Sequence, residues 1–509
     1  MKPSNIILFF LTLVLGGLTA NAQSGLRPRG DVNCDWEVTI ADFNAIIDSI
    51  VCGVEYHGLY NYAIDVNGDR EINIADINMV IDAIMGHELP PMPSFSGTMP
   101  VLYINTEGHR NIDSKESEDY LHADWWLDAM GIEGYDSIGS PEAPLGMVIK
   151  GRGNYTWDNF DKKSFRIKLD TKQAPLGMKE NRHFCLLAHA DDHLAKLKNT
   201  MGFELSRRLG LAYTPEQEPV EVVLNGQYIG LYFLADKIRV GKHRVNIEEQ
   251  PDMETNPAVI TGGWLLELND FDGTVIYVQE HYMDGWDWDD MLCFLSLSPE
   301  NLSNAQKKYI QKFLTDANVA IQTDDVSSTE WEKYIDLDSL IDYYIVGEIM
   351  DDIEHFAGSC YMHKHRGDSA RLIFGPVWDF GNAFTREAHF GPDTVGHFIY
   401  EQPSFIRSHW IQEMAKFTHF QEKLRERWTE FYDSGFNGLD IDTFIDEFVE
   451  RIRPAYEADV ARWPSYGIDN QKRDFSRYIH AKIDWLNSQW SNDDPGDDLG
   501  DEPGGDPPE

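Results

Sequence analysis

Along the chain, apolar positions first form one unbroken run, Ile6 to Leu18, and then settle into two recurring rhythms. Short β-like runs occur in "VLYIN", "SFRIKLD", "PVEVVLNG", "YIGLYFLADKI", "WLLELND" and "RLIFGPVW", and each predicts a strand. Apolar residues three or four apart predict helices over 194–209, 304–322, 337–350, 420–432 and 443–461. Strands come first and helices dominate later, so 99–490 reads as an α+β domain with a helical C-terminal part. "GHELPPMPSFSGTMP" before it reads as a Pro-rich linker over 88–98. "SNDDPGDDLGDEPGGDPPE" after it carries eight acids and no base, which marks 491–509 as a disordered acidic tail.

A different pattern fills 28–87. "DVNCDWEVTIADFNAIIDSI" from Asp31 is answered by "DVNGDREINIADINMVIDAI" from Asp65. Each copy is an acidic loop running into an amphipathic helix. Oxygen-bearing side chains fall at loop positions 1, 3, 5, 9 and 12, the alternation that points ligands inward around a hard cation. They are Asp31, Asn33, Asp35, Thr39 and Asp42 in the first loop, and Asp65, Asn67, Asp69, Asn73 and Asp76 in the second. Glu37 and Glu71 would offer the carbonyl at position 7. Position 12 is Asp rather than Glu, and Trp36 and Arg70 stand where the sharp turn favours Gly. The alternative is two solvated turns with helix N-caps at Asp42 and Asp76. The paired repeats resemble a type I dockerin, which implies a small all-α, Ca²⁺-binding module that docks onto a cohesin-like or internal partner.

Composition narrows the partners. There are 86 acidic and 43 basic residues, a formal charge of −43, which excludes nucleic acid and favours divalent cations. Lys2, the apolar run and Ala20-Asn21-Ala22 have the order of a cleavable secretory signal over 1–22. No later segment is apolar enough to span a membrane. The expected product is therefore secreted or extracytoplasmic, without a transmembrane segment. Five Cys are too few for a disulfide framework. Cys34 and Cys52 could pair, and Cys185, Cys293 and Cys360 read as buried thiols. The 14 Trp and 22 Tyr would suffice to line a glycan groove, but no spacing among them marks one.

"RLIFGPVWDFGNAF" ends a β-like run in Asp379-Phe380-Gly381. In phosphoryl transfer to a protein hydroxyl, such an Asp holds the metal, a strand Lys holds phosphate, and a helix Glu orients that Lys. Lys168 in "KKSFRIKLD", with Lys163 nearby, and Glu204 in "GFELSRRLG" supply those residue types. Arg152, in "GRGNYTW", stands at a short Gly-containing turn. Each also has a plainer reading: Lys168 as a solvent-facing strand residue, Glu204 in a helix ion pair with Arg207 or Arg208, and Asp379 as a turn cap. "HKHRGD" at 363–368 only mimics a catalytic-loop signature. "HADDH" at 189–193 spaces two His for zinc on a helix, and "DGWDWDD" at 284–290 could bind Ca²⁺.

The order "RGNYTW…KKSFRIKLD", "ADDHLAKLKNTMGFELSRRLGLAYTPEQEPVEVVLNGQYIGLYFLADKI", "GGWLLELND", "GPVWDFGNAF" closely resembles the spore coat protein H (CotH) kinase family. The resemblance implies a divergent protein-kinase-like domain that uses ATP with Mg²⁺ or Mn²⁺ and phosphorylates Ser/Thr of an exported protein. It makes Asp379 the metal ligand. The family's catalytic Asp, upstream after a helix like "LIDYYIVGEIM", is best matched here by Glu354, with Asp351 and Asp352 alongside. Glu354 or Asp352 would then be the base. The longer Glu side chain leaves a second expectation open, a non-catalytic surface adhesion or assembly module.

Overall fold

The computed structural model describes residues 29–33, 35–52, 63–67, 71–87, 89, 94–269, 275–279, 291–385, 391–401 and 410–491. The signal-like segment, Cys34 and with it the expected pairing to Cys52, Asp69, "DGWDWDD" and nearly all of the acidic tail lie outside them. The chain divides into two compact units, one of residues 1–196, 216–237 and 446–472, the other of 197–215, 238–445 and 473–509.

The repeats in the first unit form two helices, Ile40–Cys52 and Ile74–Ile84. Ile46, Ile64, Val66, Ile77 and Val80 pack into a small core of their own. Caps fall earlier than Asp42 and Asp76: Asn73 N-caps the second helix, accepting from Ala75 N, and Asp76 completes a capping box.

The rest of this unit is built on seven strands: β1 (Val101–Thr106), β2 (Leu121–Asp128), β3 (Leu145–Arg152), β4 (Ser164–Gln173), β5 (Asn181–Leu187), β6 (Gln217–Leu224) and β7 (Gln227–Asp236). They close into a barrel in the order β1-β2-β3-β4-β5-β7-β6. The closing pair, β1 and β6, is parallel, and every other pair is antiparallel. Period-two alternation decides what fills it. On β4, Phe165, Ile167 and Leu169 join the core with Trp125, Ile149 and Val222, which turns Arg166 and Lys168 to the other face. Buried Lys162 anchors the helix Ile441–Arg462 by donating to Asp459 Oδ1 at 2.7 Å.

In the second unit, β8 (Trp264–Leu268), β9 (Val275–Gln279), β10 (Met291–Ser298), β11 (Cys360–Lys364) and β12 (Leu372–Phe374) form a sheet in the order β12-β11-β8-β10-β9. Helices Leu197–Leu209, Asn304–Ile321, Leu337–Ile349 and Thr418–Asp433 belong to it, as does most of Ile468–Trp490, from Arg473 on. Four of the expected helices thus lie within a few residues of their predicted bounds, as does Ile441–Arg462. The helix Ile468–Trp490 was not anticipated. Gly210, at φ 84°, ends its helix, with Gly210 N and Leu211 N both donating to Ser206 O. The expected strand in "RLIFGPVW" shrinks to three residues. Gly375 takes φ 106°, and Pro376 has no N–H to continue a ladder. Cys185 and Cys360 are buried, whereas Cys293 is only half-buried.

Candidate functional site

Beyond β12 the chain leaves the sheet and fixes Asp379. Trp378 stacks on Phe203 at 5.9 Å between ring centres, and Phe380 meets Phe203 edge-on and His355 face-on. Gly202 admits the Phe380 ring, since a Cβ there would lie 2.3 Å from it. Asn199 Oδ1 accepts Phe380 N at 2.8 Å, and Lys198 Nζ donates to Gly381 O at 2.7 Å. Asp379 is therefore an exposed residue between two buried aromatics, in the left-handed region at φ 62° and ψ 65°. Its side chain makes no cap to the 3₁₀ turn Phe380–Asn382 that follows. The turn-cap reading fails on that point, and a carboxylate so placed suits a hard cation.

The turn carrying Glu354 lies against the same segment. The helix Leu337–Ile349 ends at Met350, and Asp351 takes φ 45°. Asp352 then pairs with Ala383 in an antiparallel bridge, and Phe384 N donates to Asp351 O. Asp352 is buried beside His355, and its Oδ1 accepts Glu354 N at 3.3 Å. Glu354 is half-buried and its carboxyl bonds the Asn382 side chain. Burial first, then the Asp352 charge, push the Glu354 carboxyl above the usual range, against that bond. Glu354 is the accessible carboxyl of the turn, and Asp352 orients its backbone.

Under this turn lies a charged cluster that sequence reasoning missed. Lys482, on the last helix, lies 2.7 Å from Asp351 Oδ1 and 3.3 Å from Glu348 Oε2, all three fully buried. His397 Nε2 is 3.1 Å from the same Asp351 oxygen. Nothing local marks Lys482 as special, since its carboxylate partners lie more than a hundred residues away.

The cofactor-side candidates divide between the units. Lys168 is exposed on the outer face of the barrel. Lys163 Nζ donates to Trp157 O and sits 5.5 Å from that ring centre. Arg152 ends β3 opposite Ser164. Glu204, in the second unit, accepts from Arg207 at 2.9 Å and Arg208 at 2.7 Å. Burial would raise its carboxyl, but these two guanidinium groups hold it below the usual range. Its visible partners are thus those of a helix ion pair. Lys150 was not anticipated, although it directly precedes "GRGN". It is buried, pairs across strands with Arg166, and donates to Lys115 O at 2.5 Å. Burial and then Arg166 lower its affinity for the proton.

Both calcium-type loops share one scaffold. Asp42 Oδ1 accepts Val32 N at 2.7 Å and Asn33 N at 3.0 Å, while Oδ2 accepts Thr39 N at 2.8 Å. Asp76 repeats this with Val66, Asn67 and Asn73. Asp31 accepts Asp35 N and Trp36 N, and Trp36 takes the position-6 turn at φ 70° without being Gly. Asn33 Nδ2 donates to Asp35 Oδ2 at 2.8 Å. Asp65 stands at the head of the second loop. The donors are all oxygens with buried Asp31, Asp42 and Asp76 among them, a set that fits Ca²⁺. Among the described residues no three His, Cys, Asp or Glu side chains gather as a metal cluster. "HADDH" is a turn rather than a helix, and burial lowers the His189 pKa to about 4.

Among the described residues no helix is long and apolar enough to cross a membrane. Comparison with curated proteins found no match. Residues 29–85 match the family described as Dockerin type I domain, and residues 149–489 match that described as CotH kinase protein. The second match covers well over half of the chain, which therefore belongs to the CotH kinase protein family and carries a dockerin type I domain ahead of its kinase-family region.

Proposed function

We propose that this is an extracytoplasmic kinase-like enzyme that transfers the ATP γ-phosphoryl group to a Ser or Thr hydroxyl of an exported protein. The observation that carries the reading is the bridge between Asp352 and Ala383, which joins the Glu354 turn to the Asp379 segment. Family membership supports it. So does chain order: β3 and β4, β5, the Glu204 helix and β6 with β7 all precede the Asp379 segment.

Mg²⁺ or Mn²⁺ held at Asp379 would supply charge neutralisation across the ATP phosphates. Asn199 and Lys198 hold the backbone on either side of Phe380 and so fix where the Asp379 carboxylate points. Glu354 takes the proton of the acceptor hydroxyl, and its raised pKa strengthens it as a base. Asp352 positions the Glu354 backbone. On the phosphate side the candidates are Lys168, Lys163 and Arg152.

The dockerin domain binds Ca²⁺ and tethers the enzyme to a cohesin-like or internal partner. Domain bounds at 28–87, 88–98 and 99–490 follow from this division of labour, with the signal at 1–22 and the acidic tail at 491–509.

The outward, exposed Lys168 favours a second reading, a surface module in which the fold is retained without turnover. Thermal shift with ATP and Mn²⁺, followed by a phosphoryl-transfer assay, separates the two. The enzyme reading requires nucleotide-dependent stabilisation that Asp379→Ala abolishes. Glu354→Asp lowers transfer if the longer carboxylate is the working base, and raises it if the extra methylene is a defect. Full ATP binding and turnover in Asp379→Ala would overturn the assignment of the metal ligand.

A further inference from the structure

We propose that a cleft in the second unit, beside the helix Asn304–Ile321, is a binding site for a neutral, pyranose-based glycan. It encloses about 510 Å³, and its walls include the rings of Tyr309, Phe313 and Tyr334. That volume lies within the roughly 300–1,000 Å³ of small-molecule sites. All three residues are partly exposed rather than core.

The rings are held in place before any ligand arrives. Tyr309 stacks on fully buried Trp264, with 14° between planes, and its hydroxyl donates to Thr261 O at 3.1 Å. Phe313 stacks on Tyr309 and meets Tyr334 edge-on at 5.5 Å. Lys364 Nζ lies 5.9 Å and 5.2 Å from the Tyr309 and Phe313 ring centres. Aromatic faces fixed this way bind apolar faces at little entropic cost, and the C–H face of a pyranose is such a surface.

Charge at the rim selects against an anion. Lys312 is paired with Asp316 at 2.6 Å, Arg371 with Asp336 at 2.6 Å, and Lys333 with Glu330. A phosphate or carboxylate would have to break one of these pairs and would also face Asp368 on the cleft wall. A glycan needs no such exchange, because its hydroxyls both donate and accept. A proline-rich peptide would stack on the rings, but its proline carbonyls only accept, which leaves Asp368 on the cleft wall without a donor. This site is separate from the Asp379 segment and stands or falls independently of the phosphoryl-transfer reading.

The test is calorimetric titration of the full chain with cellohexaose, xylohexaose and mannohexaose, alongside polygalacturonate and a proline-rich decapeptide. Saturable binding of at least one neutral oligosaccharide is expected, changing little between about 0.05 and 0.5 M salt. Tyr334→Ala should weaken it by about 3- to 10-fold, the worth of one aromatic contact, and exposed Asp368→Ala should weaken it with no change in Tm. Three results would each overturn the proposal: no neutral oligosaccharide binding, binding of polygalacturonate or the peptide alone, or oligosaccharide binding untouched by both variants. ATP-dependent stabilisation is measured on the same samples and reports separately on the kinase reading.

Discussion

Lys482 Nζ and Asp351 Oδ1 lie 2.7 Å apart with both side chains completely buried, 131 residues apart in sequence. The pair ties the last helix to the residue that opens the Glu354 turn. Burial opposes charge on both partners. Even so, Lys482 and His397 bring the Asp351 carboxyl down to about 2, and Asp351 and Glu348 raise the Lys482 ammonium above its ordinary value. Glu348 is held up by burial, with its Oε1 accepting Ile399 N.

Removing the cation alone should be costly. Lys482→Met leaves Asp351 and Glu348 buried without their counter-charge, and the expected loss is about 3–5 kcal/mol in urea unfolding. The double variant Asp351→Asn with Lys482→Met should recover part of that loss. A single-variant loss below about 1 kcal/mol would mean that water reaches the cluster.

The same pair sets a pH window. Asp351 has a depressed pKa, so its contribution is complete above the unfolded-state value of about 3.9 and is lost as pH falls towards about 2. Lys482 has a raised pKa, so its contribution is complete below the unfolded value of about 10.4 and is lost at higher pH. Thermal unfolding should show an acid-side fall in Tm that Asp351→Asn flattens. An unchanged acid limb in that variant would assign the fall to other carboxylates.

Glu354 works in the opposite sense. Its carboxyl is raised, so folding favours its protonated form and stability falls as pH climbs through the window between its unfolded and folded values. If Glu354 is the base in transfer, the acid limb of kcat/KM should lie above the ordinary Glu value of about 4.3. Asp352→Asn removes the neighbouring charge and should move that limb down. A limb that stays put would exclude Glu354 as the titrating group.

Gly202→Ala drives a methyl against the Phe380 ring, which must shift because the ring atoms lie only 2.3–2.5 Å from the Cβ position. An overpacking loss of about 1–3 kcal/mol is expected, together with weaker ATP and Mn²⁺ stabilisation, because Phe380 anchors Asp379. Full nucleotide response at reduced stability would show that the anchor is dispensable.

Calcium removal should act locally. With EDTA, limited proteolysis of the full chain should open within 29–87 and spare 149–489. Asp42→Asn and Asp76→Asn should each reproduce part of that sensitivity with calcium present. Cleavage unaffected by EDTA would show that the repeats fold without the ion.

Short-range pattern determined a good deal by itself. The two repeats with their helices, the five later helices and the α+β order were readable because each depends on residues within a turn or two of one another. Alternation on "SFRIKLD" already placed Phe165, Ile167 and Leu169 on one face, so Lys168 had to take the other. Tertiary structure decided what that face was for, by closing the sheet through β1 and β6 and filling its interior with apolar side chains. It also decided that "RLIFGPVW" is mostly not strand, that the Asp379 side chain does not cap the turn after it, and that Lys482 is the counter-ion of Asp351. Those outcomes rest on pairings between segments up to hundreds of residues apart, whose energies come from burial and charge neutralisation rather than from local propensity, so no periodicity in the chain records them.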